Sequence, residues 1–253
     1  MHVERSAIDV VLLDIEGTTT PIAFVYDVLF PFARRHLREF LKDQWHTPAV
    51  ADAILKLQLE WADEAARGEA PPPWAPTGVR VVPASDILMA AAYLEWLMDR
   101  DRKSPALKLI QGLIWERGYA SRELTSDLFP DVAPAIERWI GAGLRVAIYS
   151  SGSALAQRLL FAHSREGDLT PRLSGFFDTS AGSKTEAASF TRIAAALATS
   201  PARVLFVSDV SQELDAARTA GCVTALCVRP GNPIQPAGVP VNIVRTFEEI
   251  AVV

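Results

Sequence analysis

Residues 8–19 read Ile-Asp-Val-Val-Leu-Leu-Asp-Ile-Glu-Gly-Thr-Thr, and the fold is decided in this stretch. From 8 to 13 the residues are β-branched or apolar with one interruption, and the run stops at Asp14. A strand with one wet face alternates polar and apolar residues. A continuous apolar run suits a strand buried on both faces of a parallel sheet. Three further runs of this kind come late in the chain, at 144–149 (LRVAIY), 204–207 (VLFV) and 223–228 (VTALCV). Helix-like segments separate them: SSGSALAQRLLFA after Tyr149, TEAASFTRIAAALA after Lys184, and SQELDAARTAG after Asp209. The last of these closes on Gly221, a residue suited to a helix C-terminus. Strand–helix alternation predicts an α/β fold with a doubly wound, Rossmann-like, mainly parallel sheet.

Residues 20–125 follow another rhythm. Val50, Ile54, Leu57 and Trp61 recur at helical spacing, and residues 87–98 read as a second, largely buried helix. Between them five prolines within 71–83 forbid regular helix. The expected organisation is an α/β core of residues 1–19 and 126–253, with residues 20–125 inserted as a helical cap.

Composition narrows the function classes. The chain has 253 residues, 49% hydrophobic and 22% charged, with a net charge of −5. A chain of this size buries roughly three-quarters of its unfolded surface, so it needs neither disulfide nor structural metal to fold. The mild negative charge argues against a nucleic-acid or anionic-membrane surface. No signal-peptide pattern is visible, and the longest apolar run, 87–98, contains Glu95 and is too short to span a bilayer. The two cysteines, Cys222 and Cys227, are five residues apart on one strand-like run, which puts them on opposite faces. They read as small core residues in a reducing, cytoplasmic protein. The four histidines, His2, His36, His46 and His163, show no zinc-ligand spacing.

Open parallel sheets bind ligands beyond the carboxyl ends of their strands. The segments that follow the predicted strands are Asp14-Ile15-Glu16-Gly17-Thr18-Thr19, Ser150-Ser151-Gly152-Ser153 and Ser208-Asp209-Val210-Ser211-Gln212-Glu213, with Gly182-Ser183-Lys184 further along. A lone aspartate at a strand end is usually a turn former or helix cap, and a lone Ser-Ser-Gly-Ser a capped loop. Together, delivered to one sheet edge, they describe a phosphoryl-transfer site. Carboxylates from two strands can hold Mg²⁺, and one in line with phosphorus can act as a nucleophile. Hydroxyls and a lysine can neutralise the phosphate oxygens. Glu213 could belong to this set or merely favour the first turn of its helix.

Asp14-Ile15-Glu16-Gly17-Thr18, Ser150-Ser151, Lys184 and Ser208-Asp209-Val210-x-x-Glu213 resemble, in order, the four motifs of the haloacid-dehalogenase-like phosphatases. Residues 12–31, 146–169, 176–190 and the Val-Arg-Pro-Gly-Asn of 228–232 resemble more specifically the enolase-phosphatase family of methionine salvage, the acireductone synthases. The resemblance covers residues 8 to about 38 and 129–232, and is weaker through the helical insertion. It implies a monomeric, Mg²⁺-dependent enzyme acting on a small phosphorylated diketone. That enzyme enolises 2,3-diketo-5-methylthiopentyl-1-phosphate and then hydrolyses its phosphate ester to give the acireductone. By the same resemblance Asp14 is nucleophile and metal ligand, Asp209 the second metal carboxylate, and Ser150, Ser151 and Lys184 the phosphate holders. Glu16 stands where most of the superfamily has aspartate. Its carbonyl is expected on the metal, and its side chain is open to catalytic use. The insertion is expected to receive the methylthio tail. The rival readings are a general sugar-phosphate phosphatase or dehalogenase on the same fold, and an idle scaffold that keeps the fold alone.

Overall fold

A computed structural model describes residues 1–4, 7–74, 84–233 and 242–252. In chain order the elements are β1 (His2–Val3), β2 (Val10–Leu13), α1 (Phe30–Gln44), α2 (Pro48–Ala66), α3 (Ala84–Asp99), α4 (Pro105–Ala120), α5 (Val132–Gly141), β3 (Arg145–Tyr149), α6 (Ala154–Ala162), β4 (Phe176–Phe177), α7 (Ala187–Ala196), β5 (Val204–Ser208), α8 (Ser211–Thr219), β6 (Val223–Cys227), β7 (Asn242–Val244) and β8 (Ala251–Val252). Among the described residues no helix is long and apolar enough to cross a membrane. The chain divides into two compact units, one of Met1–Asp27 with Arg122–Val253, the other of Val28–Ser121.

Among the described residues of the first unit six strands form a parallel sheet in the order β4-β3-β2-β5-β6-β7. All four residues of β2 are fully buried, as their unbroken apolar run demands. Val10 and Leu12 join Tyr149, Phe206, Phe190 and Ile193 on one face of the sheet. Val11 and Leu13 alternate to the other, and α5, with Trp139 fully buried, packs on β3. Each such buried aliphatic side chain contributes about 1.5–3 kcal/mol. The chain runs outward from β2 to β3 and β4, then crosses β2 to β5. The direction of winding therefore reverses at β2, and the crevice of a doubly wound sheet opens at such a reversal.

The strands keep the expected positions with small changes at their ends. The first starts at Val10 because Asp9 is held by Arg203 through Nε (2.7 Å) and Nη2 (2.6 Å), with Thr199 Oγ1 at 2.7 Å. These hydrogen bonds hold the Asp9 carboxyl well below the usual carboxylate range. The edge strands β4 and β7 and the small parallel pair β1·β8 lie beyond the sequence expectations. With two or three residues each they are too short to show a period. Cys222 and Cys227 are both buried and unpaired, and burial pushes each thiol up to about 12.

The second unit is helical. In α2 the expected stripe buries Val50, Ile54 and Leu57, while Trp61 is half-buried and donates Nε1 to the Pro72 carbonyl at 2.8 Å. In α3 burial is confined to the stretch from Ala90 to Leu97. Residues 71–74 are irregular, as their prolines require, and the rest of the proline-rich expectation lies outside the described residues. Among the described residues two more helices, α1 and α4, belong to the unit. Ser104 caps α4 by accepting from Leu107 N at 3.1 Å, with Pro105 at the first helical position. Trp115 Nε1 donates to the Leu29 carbonyl at 2.8 Å, tying α4 to the chain entering α1.

Candidate active site

The register of the sheet sets three turns side by side. Leu13 pairs with Ile148 of β3 and with Val207 of β5, so Asp14, Ser150 and Asp209 leave neighbouring strands at one edge. Asp14 N–H still donates to the Val207 carbonyl at 3.0 Å, which fixes its backbone as an extension of β2. Thr18, Thr19 and Thr20 are fully buried. The Ile15 carbonyl accepts from the N–H groups of all three, and Thr19 Oγ1 donates to the Asp14 carbonyl at 3.2 Å. Gly17 makes the turn possible at φ +73°. A Cβ there would stand 2.3 Å from Asp209 Oδ2, so the absence of a side chain is what admits the Asp209 carboxylate.

Lys184 is the centre of charge. It pairs with Asp14 Oδ1 and, at 3.0 Å, with Glu213 Oε2. Ser208 Oγ donates to the same Glu213 oxygen at 2.8 Å and accepts from Val210 N at 3.1 Å. Glu213 is thus a member of the cluster as well as an acid in the first turn of α8, and the Ser-Asp-x-x-x-Glu spacing of 208–213 is the signal for it. Burial alone would lower the Lys184 ammonium, but Asp14, Glu213 and Glu16 outweigh it and hold it above the ordinary lysine range. Burial raises the Asp14 carboxyl well above its usual range, against Lys184 and with Glu213 and Glu16. Asp209 is pushed up to about 6 by burial, then by Glu213.

The serine turn is held differently from expectation. Ser150 Oγ, buried, donates to Glu16 Oε2 at 3.2 Å and accepts from Gly152 N at 3.1 Å, so the hydroxyl expected on phosphate is engaged by the neighbouring carboxylate. Ser151 is exposed. Buried Gln157 of α6 donates Nε2 to the carbonyls of Gly152 (2.9 Å) and Phe177 (2.7 Å), locking the turn to β4. Tyr149 OH donates to the Gly182 carbonyl at 2.9 Å, which anchors the loop carrying Lys184.

Four carboxylates, Asp14, Glu16, Asp209 and Glu213, face one ammonium at this sheet edge, and repulsion among them adds to the burial that chiefly raises Asp14 and Asp209. Among the described residues no three His, Cys, Asp or Glu side chains gather closely enough to hold an ion by themselves. An all-oxygen set of one or two buried carboxylates suits Mg²⁺, which keeps waters and shares its shell with phosphate, rather than a metal that needs a complete protein cage.

Residues 8–221 match the family of haloacid dehalogenase-like hydrolases. Similar proteins include one from Synechococcus elongatus, 50% identical over 96% of this chain and 98% of its own length, and one from Drosophila virilis, 45% identical over 88% and 86%, both named Enolase-phosphatase E1. The crystal structure of the UTR4 protein from Saccharomyces cerevisiae superposes with a TM-score of 0.75 at 30% identity, covering 95% of this chain and 99% of that one. CbbY from Rhodobacter sphaeroides, solved with phosphate, shares the fold at 18% identity and a TM-score of 0.52 over 96% of each chain.

Proposed function

The chain belongs to the haloacid dehalogenase-like hydrolases, in their enolase-phosphatase branch, and we propose that it both enolises and dephosphorylates a 2,3-diketo-5-methylthiopentyl-1-phosphate substrate to give the acireductone. The observation that carries this reading is the Asp14 carboxylate, buried at the end of the central strand where the winding reverses, with Lys184 on one oxygen and the Gly17 turn beside it.

The phosphatase half uses Asp14 as the nucleophile. Its oxygen bonds to phosphorus as the bond to the substrate's ester oxygen breaks, and that oxygen takes a proton from water or, in the leaving-group-acid role, from the Glu16 carboxyl. Water then cleaves the aspartyl phosphate and restores Asp14. Lys184, and the serine turn once Ser150 leaves Glu16, neutralise the non-bridging oxygens. Asp14, Asp209 and the Glu16 carbonyl are the groups that would hold Mg²⁺. The ion would supply charge neutralisation on the phosphate and return the raised carboxyls to their ionised form. Gly17→Ala is expected to lower kcat about 10²-fold, because the new Cβ displaces Asp209 by the kind of small misplacement that such sites punish. Steady-state phosphate release at saturating Mg²⁺ measures it, and a kcat within twofold of wild type would show that Asp209 tolerates the move.

The enolase half removes a proton from the carbon that bears the phosphate ester, next to a carbonyl. Glu16, held by Ser150, is the side chain assigned to that proton. Its competing role is to protonate the leaving oxygen, as aspartate does elsewhere in the superfamily. Glu16→Gln keeps the shape and carbonyl but removes the ionisable group. With Glu16 as the base, the variant forms no enol from the diketone yet still releases phosphate from supplied enol phosphate. If Glu16 is only the leaving-group acid, enol phosphate accumulates. Normal rates in both half-reactions would remove the side chain from catalysis. Following enol absorbance and phosphate on each substrate decides among the three.

A further inference from the structure

The Val-Arg-Pro-Gly-Asn segment of residues 228–232 has no part in the chemistry above, although it lies more than 200 residues from Gly17 and touches it. Its geometry follows from its sequence. Pro230 presets the second position of a β-turn, and Gly231 takes φ +87° at the third. Asn232 N–H donates back to the Arg229 carbonyl at 3.2 Å. This is a type II turn, the turn for which Pro-Gly is suited. It follows β6, and it presents the side chains of its first and last residues to two successive carbonyls of the Asp14 loop. Asn232 Nδ2 donates to Gly17 O at 2.9 Å, and Arg229 Nε to Thr18 O at 3.2 Å.

Arg229 is itself immobilised. It is 5% exposed, its guanidinium carbon stands 4.4 Å from the ring centre of Phe129 and 4.7 Å from that of Phe247, and it pairs with Asp131 through Nη1 (3.0 Å) and Nη2 (2.9 Å), with a further bond from Nη1 to the Arg245 carbonyl. A buried arginine paired with a carboxylate and hydrogen-bonded through Nε and Nη1 to two carbonyls has little freedom to move. The Asn232 amide also stands beside Asp209, since a Cβ on Gly17 would meet Asp209 Oδ2 at 2.3 Å and Asn232 Oδ1 at 3.1 Å.

We propose that Arg229 and Asn232 are positioning residues: the rigid Pro-Gly turn holds the Gly17–Thr18 peptides in place, and through them the angle at which Asp14 meets the phosphate. This rests on the phosphatase reading of Asp14. A misplaced loop slows the chemical step while leaving substrate affinity nearly intact.

The test uses the full chain with Mg²⁺ and the diketone phosphate. Asn232→Ala removes one donor at a half-buried position and leaves the Arg229–Asp131 pair in place. It should lower kcat about tenfold or more with KM within threefold, and keep the melting temperature within a few degrees. Asn232→Leu keeps the shape without adding charge and lacks the donor, so it should be no faster than Asn232→Ala, whereas a space-filling role predicts rescue. In the protein without substrate, the amides of residues 17–20 should exchange hydrogen faster in Asn232→Ala, with those of β5 and β6 unchanged. If wild type is active and Asn232→Ala has a kcat within twofold of it, or exchange in the loop is unaltered, the inference is overturned while the phosphatase reading stands. If wild type releases no phosphate, both fall.

Discussion

Asp14→Asn is expected to lower phosphate release at least about 10³-fold, the scale at which removal of one member of a catalytic unit is felt. The amide is isosteric with the carboxylate, but it is a poor nucleophile and a poor ligand for a hard cation. The fold itself should not suffer. Burial disfavours the charged form of Asp14 more than Lys184 favours it, so its carboxyl lies above the ordinary range. A group raised in the folded state costs stability once it is ionised, and a neutral residue of the same shape removes that cost. The variant should therefore melt at or above the wild-type temperature while losing activity. Retention of more than a tenth of the wild-type rate would remove Asp14 from the nucleophile's role.

Lys184→Ala should be nearly as damaging, and by a different route. The side chain is 10% exposed and its ammonium bridges Asp14 and Glu213. Without it, two buried carboxylates face each other unneutralised, Asp14 rises further toward its protonated and non-nucleophilic form, and the phosphate loses a cation. Removing one donor from such an electrostatic site costs about 10²–10³ in rate. Breaking a buried pair by taking away one partner also destabilises a fold by about 3–5 kcal/mol, so this variant, unlike Asp14→Asn, should melt lower. Kinetics and melting measured together separate the two variants. Unchanged kcat/KM in Lys184→Ala would make the lysine a structural ion-pair partner alone.

The contrast between these residues and the Arg229 turn shows what a sequence can reveal. Asp14, Ser150 and Asp209 are legible because each ends an apolar run, and the end of a buried parallel strand is where such a sheet offers its ligands a place. Lys184 is legible only through its company in the motif order. Its bond to Glu213 is long-range and depends on how α8 folds back over the end of β5. The bond from Ser150 to Glu16 joins residues 134 positions apart, so a hydroxyl expected on phosphate is instead occupied by a carboxylate. Arg229 and Asn232 announce a turn through Pro230 and Gly231, but nothing local says which carbonyls that turn will meet. In the helical unit, α2 shows a clean stripe. By contrast α4 buries residues nearly all round, from Leu107 to Tyr119, and leaves no face for a period to mark.

The most direct measurement is a single time course of the purified chain with 2,3-diketo-5-methylthiopentyl-1-phosphate and Mg²⁺, recording enol absorbance and inorganic phosphate together, beside a chelated sample. The expected result is a rise in enol absorbance with one phosphate released per acireductone formed, and a reversible stop of phosphate release on chelation. Hydrolysis of simple phosphate monoesters at comparable rates with no enol signal from the diketone would contradict it.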